Sequence, residues 1–299
     1  MTADSLHGAS AIRSTVIGLW LANLLATPYQ YYASLPDEMR IWRGLGGAVL
    51  ASPAFRVLIN ACGGLAALKW LAVGTGTVLL LWPYRCRFLM PVFFGLVLVL
   101  DAASKSLQGY ADHAQLLPLI LLAVFTAYTN ARFIAPFAGS KPVRRGTERS
   151  YDLIVLLAVL VLVIPYMFIG INRLIEGGIA VFSGDALLTY IRVDSLRDST
   201  FGFTLFVGWT EIPVVAVLLK IGFAFTTAFE IMSPGIFVWP RFRFAWMVAM
   251  TVFHFMTLFS MNIFFWQNLI LIYVVVGFGL VSVRSQKMGP VLAVQEVLN

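Results

Sequence analysis

The sequence predicts an all-α protein, a polytopic membrane bundle of about eight transmembrane helices with both termini in the cytoplasm. Three observations predict it. Of 299 residues, 60% are hydrophobic and only 12% charged, against about 25% charged in ordinary soluble domains. Apolar runs close to the roughly 20 residues that a bilayer core of about 30 Å requires recur along the whole length. Lysine and arginine gather in alternate connections between those runs, the bias that cytoplasmic loops carry.

The opening MTADSLHGASA has no basic stretch, and the apolar run behind it has no small-residue cleavage site. The first span, about 12–33, is therefore expected to stay in the chain rather than leave as a signal peptide. Further spans follow at about 55–82, 88–108, 114–131, 151–172, 206–232, 244–261 and 263–283. The runs are too long and too uniformly apolar for the alternating strands of a transmembrane barrel. Residues 1–299 read as a single transmembrane domain. Its helical halves, 12–131 and 151–283, are joined by a basic cytoplasmic linker, 132–150, where Arg132, Lys141, Arg144, Arg145 and Arg149 meet only Glu148.

Arg85 and Arg87, the linker, and Arg241 with Arg243 mark inside connections. The stretch 173–200 sets Arg173, Arg192 and Arg197 against Glu176, Asp185, Asp194 and Asp198, which puts it outside. A net charge of +7 is thus explained by topology. The partner it implies is the lipid bilayer, not nucleic acid. Cys62 and Cys86 lie 24 residues apart; on one long helix that is roughly 36 Å, beyond disulfide reach, so both read as free thiols.

Ionisable groups inside a bilayer are costly unless paired or wetted, so each one is a candidate site. Asp101 and Lys105 have the i,i+4 spacing of a same-face ion pair. Asp112 suits a helix N-cap, which leaves His113 at the mouth of the fourth span as a candidate proton carrier. His254 shares a helix face with Thr257, and Met261 and Asn262 follow; a ligand contact and an interhelical hydrogen bond both suit it. Glu211 opens the sixth span, and Lys220 falls about half a helical rotation away. Glu230 reads as an inner-end residue that snorkels or meets Arg241 or Arg243. The segment GINRLIEGGIAVFSGDALLTY reads as leaving the fifth span, turning at Gly177 and Gly178, and re-entering as a short interfacial helix after Ser183 and Asp185. Arg173 and Glu176 would line an outward mouth with His113 and Glu211. The sequence has no HExxH, CxxC, GxSxG or phosphate-binding glycine loop, and its three histidines and two cysteines give no pattern for a metal site.

The order of these features resembles a known family. A polar turn with histidine (ADHAQLL) is followed by a basic connection and a span running into GINRL. A small-residue turn (FSGDAL), a glutamate opening a helix (WTEIP), and FH before NIFFWQN come after it. This resembles the HTTM family, bacterial membrane proteins similar to the membrane domain of vitamin K-dependent gamma-glutamyl carboxylase, over roughly residues 12–283. The resemblance implies a multi-pass protein of the bacterial cytoplasmic (inner) membrane with a site for a quinone-like lipid. The carboxylase has a lysine where this chain has Arg173, then a tryptophan and a glycine that compare with Val181 and Gly184; that lysine is the base toward reduced vitamin K. Arginine stays charged, so the likeness implies the architecture and speaks against a carboxylase.

Two readings follow. In one, an outward-facing polar pocket takes a lipid-soluble quinone-like molecule or an apolar peptide, with Arg173 as anchor, His113 as proton carrier and Glu211 as its partner; Asp112, Glu176, His254 and Asn262 support binding. In the other, the protein is a non-catalytic membrane partner in peptide export or maturation, or a subunit of a larger membrane complex. A transporter is a third, weaker fit, because only one helix break, at Gly177 and Gly178, is visible.

Overall fold

The computed structural model describes residues 3–34, 52–61, 64–82, 86, 88–108, 115–134, 148–195, 208–261 and 263–279. Every regular element among them is helical. In chain order they are α1 (Ala3–Ala26), α2 (Tyr29–Ser34), α3 (Pro53–Ala61), α4 (Gly64–Leu81), α5 (Leu89–Gln108), α6 (Leu116–Ile134), α7 (Glu148–Gly177), α8 (Ala180–Ser183) and α9 (Ala186–Ser195). A 3-10 turn, Gly208–Glu211, precedes α10 (Pro213–Ile231), α11 (Gly235–Val238), α12 (Pro240–Met261) and α13 (Trp266–Leu271), which passes into a π-helical stretch, Ile272–Gly279.

Among the described residues six helices are long and apolar enough to cross a membrane: Gly8–Ala26, Gly64–Leu81, Leu89–Ser106, Leu153–Gly177, Pro213–Ile231 and Pro240–Met261. The spans expected at 114–131 and 263–283 coincide with two shorter apolar helices, Leu116–Asn130 and Trp266–Gly277. The expected span 12–33 is broken, with α1 ending at Ala26 and α2 starting at Tyr29. Pro28 explains the break, because it offers no amide proton and disfavours helical backbone before it. The expected span 55–82 is also divided, into α3 and α4, and Gly64 at the start of α4 has φ +84°.

The chain forms two compact units, one holding the described residues up to Ala158 and the other those from Val159 onward. In the first, α4 packs against α1, α2, α3 and α5, while α6 packs against α1 and α5. Trp20, Phe93, Leu121 and Leu122 are fully buried there. Lys69, on α4, is buried and donates to the carbonyls of Leu25 (3.2 Å) and Thr27 (3.0 Å), at the broken end of α1. A helix C-terminus leaves such carbonyls unpaired and attracts cations. Lys105 Nζ meets Asp101 Oδ2 at 2.8 Å, one helical turn apart, and Gln115 Nε2 donates to Asn23 Oδ1 at 2.8 Å. Cys86 is a free thiol; Cys62 lies outside the described residues.

In the second unit α12 packs against α9, α10, α11 and α13, and α8 joins α9 to α10. The later part of α7 runs antiparallel to α10. Ser233 Oγ donates to the Val163 carbonyl, Gly170 lies against Glu230 and Ile231, and Arg173 reaches Thr227. A methyl group on Gly170 would sit 2.9 Å from the Ile231 side chain and 3.1 Å from its backbone nitrogen, so this glycine sets how closely the two helices approach. The Ser233 bond falls two residues before Pro165 of α7, whereas the carbonyl that the proline leaves without its helical donor is that of Val161.

Candidate functional site

The fifth span does not stop at 172, as its sequence suggests, but continues through Gly177, which carries Arg173 and Glu176 on the helix. Asn172 Nδ2 donates to Glu176 Oε1 at 2.8 Å, one turn on. The glycine pair then ends the helix for two separate reasons. Gly178 takes φ +55° and its amide still reaches the Leu174 carbonyl, the left-handed stop that glycine supplies without penalty. At Gly177 any side chain would run into Val181.

Arg173 Nη1 forms an ion pair with Glu230 Oε2 of α10 and a long contact, 3.4 Å, with Thr227 Oγ1. Its guanidinium carbon stands 4.9 Å from the centre of the Phe223 ring and 5.7 Å from that of Phe253. Such cation–π contacts strengthen when desolvated. The pair replaces the expectation for Glu230, which neither snorkels nor meets Arg241 or Arg243; Arg243 Nε donates instead to the Ile236 carbonyl at 2.5 Å. The cause is the offset between helices. Arg173 lies level with Phe223–Glu230 of α10 and with Phe253, well inside α12, so it stands at a depth within the spans and not at a mouth.

Beside this pair lies a cavity of about 1320 Å³, at or above the upper end of the range for small-molecule sites. Arg173 and Glu176 are the charged residues in its lining; the walls are chiefly α10 and α12, with α9 at one side. Leu218, Phe225, Phe244, Val248 and Val252 line it and are also exposed. The opening therefore runs sideways between α10 and α12, along faces whose apolar surface suits lipid. Arg173 keeps 24% of its side chain exposed while Glu230 keeps 1%. Among the described residues the protein bonds of the guanidinium all use Nη1, which leaves Nε and Nη2 as donors.

Behind the wall, His254 is buried on α12 and its Nε2 lies 2.7 Å from the Tyr166 hydroxyl of α7. Trp246 meets the Tyr166 ring edge-on at 5.5 Å and Phe265 meets His254 at 5.7 Å. The histidine thus joins α7 to α12, one layer behind the cavity walls at Phe253, Thr257 and Phe265. The SGD turn is held from outside, where Lys220 of α10 donates to the Ser183 carbonyl (3.3 Å) and to Asp185 Oδ1 (3.0 Å). The polar letters between the two apolar runs therefore serve distinct tasks: the arginine anchors, the glycines turn, and the aspartate is pinned.

Of the residues singled out from sequence, the structure brings Arg173 and Glu176 to one cavity and sets His254 just behind it. Glu211 is exposed on the 3-10 turn and lies outside the lining, although Trp209 beside it contributes. Asp112, His113 and Asn262 lie outside the described residues. Arg173, Glu230, Lys69, Lys220 and Asp185 are charged groups whose partners the sequence did not reveal. Among the described residues no group of three His, Cys, Asp or Glu side chains stands together as a metal site would need. Compared with family models, with curated proteins and with solved structures, the chain matches none. The fold and the site define a class: a multi-pass helical membrane protein with an apolar cavity and a buried ion pair at its edge.

Proposed function

We propose that the cavity between α10 and α12 binds a lipid-soluble, quinone-like molecule that enters from the bilayer, with Arg173 as the polar anchor for its head. The observation that carries this reading is the guanidinium with spare donors at the edge of a mainly apolar space that opens along lipid-facing helices. An apolar peptide fits less well, because its backbone would bring amides for which this lining has few partners. Arg173 stays charged and serves as a hydrogen-bond donor, not as a base; the reading is accordingly a binding site without carboxylase chemistry. The HTTM likeness, a bacterial inner membrane and cytoplasmic termini belong to the same proposal, and the offset of Glu211 from the lining leaves Arg173 as its main residue.

Gly222 provides the test. It lines the cavity, and a Cβ added there meets nothing within 4 Å, so Gly222→Phe narrows the site beside Phe223. Purified protein is heated in detergent with and without an alkyl-chain naphthoquinone. Ligand near 100 times its Kd stabilises by about 2.7 kcal/mol. Wild type is expected to gain thermal stability and Gly222→Phe to gain less; equal gains, or none in wild type, contradict the proposal.

A further inference from the structure

We infer that Glu230 makes this site selective for lipids with an uncharged, acceptor-bearing head, and that it excludes carboxylate or phosphate heads. The inference rests on the cavity being a lipid site. A lone buried arginine would recruit an anion. Here the guanidinium already has its counterion, a carboxylate that is itself 1% exposed and held by the approach of Gly170 to α10. The other charged lining residue is Glu176, also an acid, exposed and bonded to Asn172. Among the described residues the nearby cations are committed elsewhere: Lys220 lies outside the lining and is paired with Asp185, and Arg192 contacts Thr210. The summed formal charge of Arg173, Glu230 and Glu176 is therefore negative, not positive.

An ionised head entering this space loses its hydration and finds, among the described residues, no uncompensated positive charge to replace it, which is the unfavourable case for burial of an ion. A carbonyl or ester oxygen loses much less on leaving water, and the spare donors Nε and Nη2 can satisfy it. The acid at position 230 thus acts through Arg173, as a positioning and specificity residue.

The test uses full-length protein in phosphatidylcholine nanodiscs and two photoreactive probes with identical chains, a diazirine fatty acid and its methyl ester, at a pH that ionises the acid. Labelled peptides are mapped by mass spectrometry. In wild type the ester is expected to label α10 and α12 around Phe225, Val248 and Val252 at least about tenfold more than the acid, a ratio equal to about 1.4 kcal/mol. Glu230→Gln, which frees the charge of Arg173, is expected to bring acid labelling up to that of the ester. Arg173→Gln combined with Glu230→Gln removes both charges together and is expected to lower ester labelling without raising that of the acid. Acid labelling equal to the ester's in wild type overturns the selectivity while leaving the lipid site standing. Wild-type labelling confined to other helices for both probes overturns the lipid site itself. The wild-type comparison decides the matter even where a variant does not fold.

Discussion

Replacing Arg173 by Met is expected to expose how strongly the buried pair holds α7 to α10. The substitution leaves the Glu230 carboxylate, 1% exposed, without a counterion. Breaking a buried pair on one side costs about 3–5 kcal/mol, and the place of Glu230 in the last turn of α10 puts the loss at the lower end. The expected loss is about 3 kcal/mol. Glu230→Met is expected to cost less, about 2 kcal/mol, because the arginine keeps 24% of its side chain exposed and its long stem lets the charged head move toward a more polar surface. The double substitution removes both desolvation penalties, and apolar replacement of a buried pair is often neutral or stabilising. Its expected change lies within about 1 kcal/mol of zero, which sets the coupling energy at about 5 kcal/mol, above the usual range for a direct contact. Unfolding in mixed micelles, followed by tryptophan fluorescence across a sodium dodecyl sulfate titration, measures all four proteins. The reasoning is refuted if the double variant loses the sum of the two single losses, or if Arg173→Met costs under about 1 kcal/mol.

Other sites give sharper local expectations. Tyr166→Phe removes the hydroxyl 2.7 Å from His254 Nε2 and leaves a buried polar atom unpaired, a loss of about 1–3 kcal/mol readable in the same titration. Gly76→Val places a carbon 2.8 Å from Leu21 and Phe93; overpacking of this kind costs about 1–3 kcal/mol, so the midpoint for the first unit should fall. Lys220→Met removes an ion pair whose acid is 84% exposed, so global stability should move by less than about 1 kcal/mol, while hydrogen exchange at residues 183–189 should quicken.

Much of the helical plan was legible because apolar runs of bilayer length admit few alternatives, and the turn at Gly178 was legible because glycine pairs end helices. The breaks at Pro28 and between α3 and α4 were harder, since hydropathy averages across them. Proline was visible at one, and the glycines of ACGGL at the other. The pairing of Arg173 with Glu230 was not legible. Hydropathy assigns each residue a depth from the ends of its own run, and that rule sets the two at opposite faces; the actual register depends on how Gly170 lets α10 slide along α7. Lys69 escaped notice for a related reason, because its partners are backbone carbonyls exposed by a helix break and no acid in the sequence points to it. His254 was read with two alternatives, and its bond to Tyr166 across 88 residues is the interhelical one.

The most direct test of the account is a density map of the protein purified into lipid nanodiscs with an alkyl-chain naphthoquinone added. The account predicts elongated density between α10 and α12, with its head within hydrogen-bond reach of the Arg173 guanidinium and its tail along Val248 and Val252. A map in which that space is closed by side chains, or in which the quinone rests elsewhere while Arg173 contacts Glu230 alone, would contradict it.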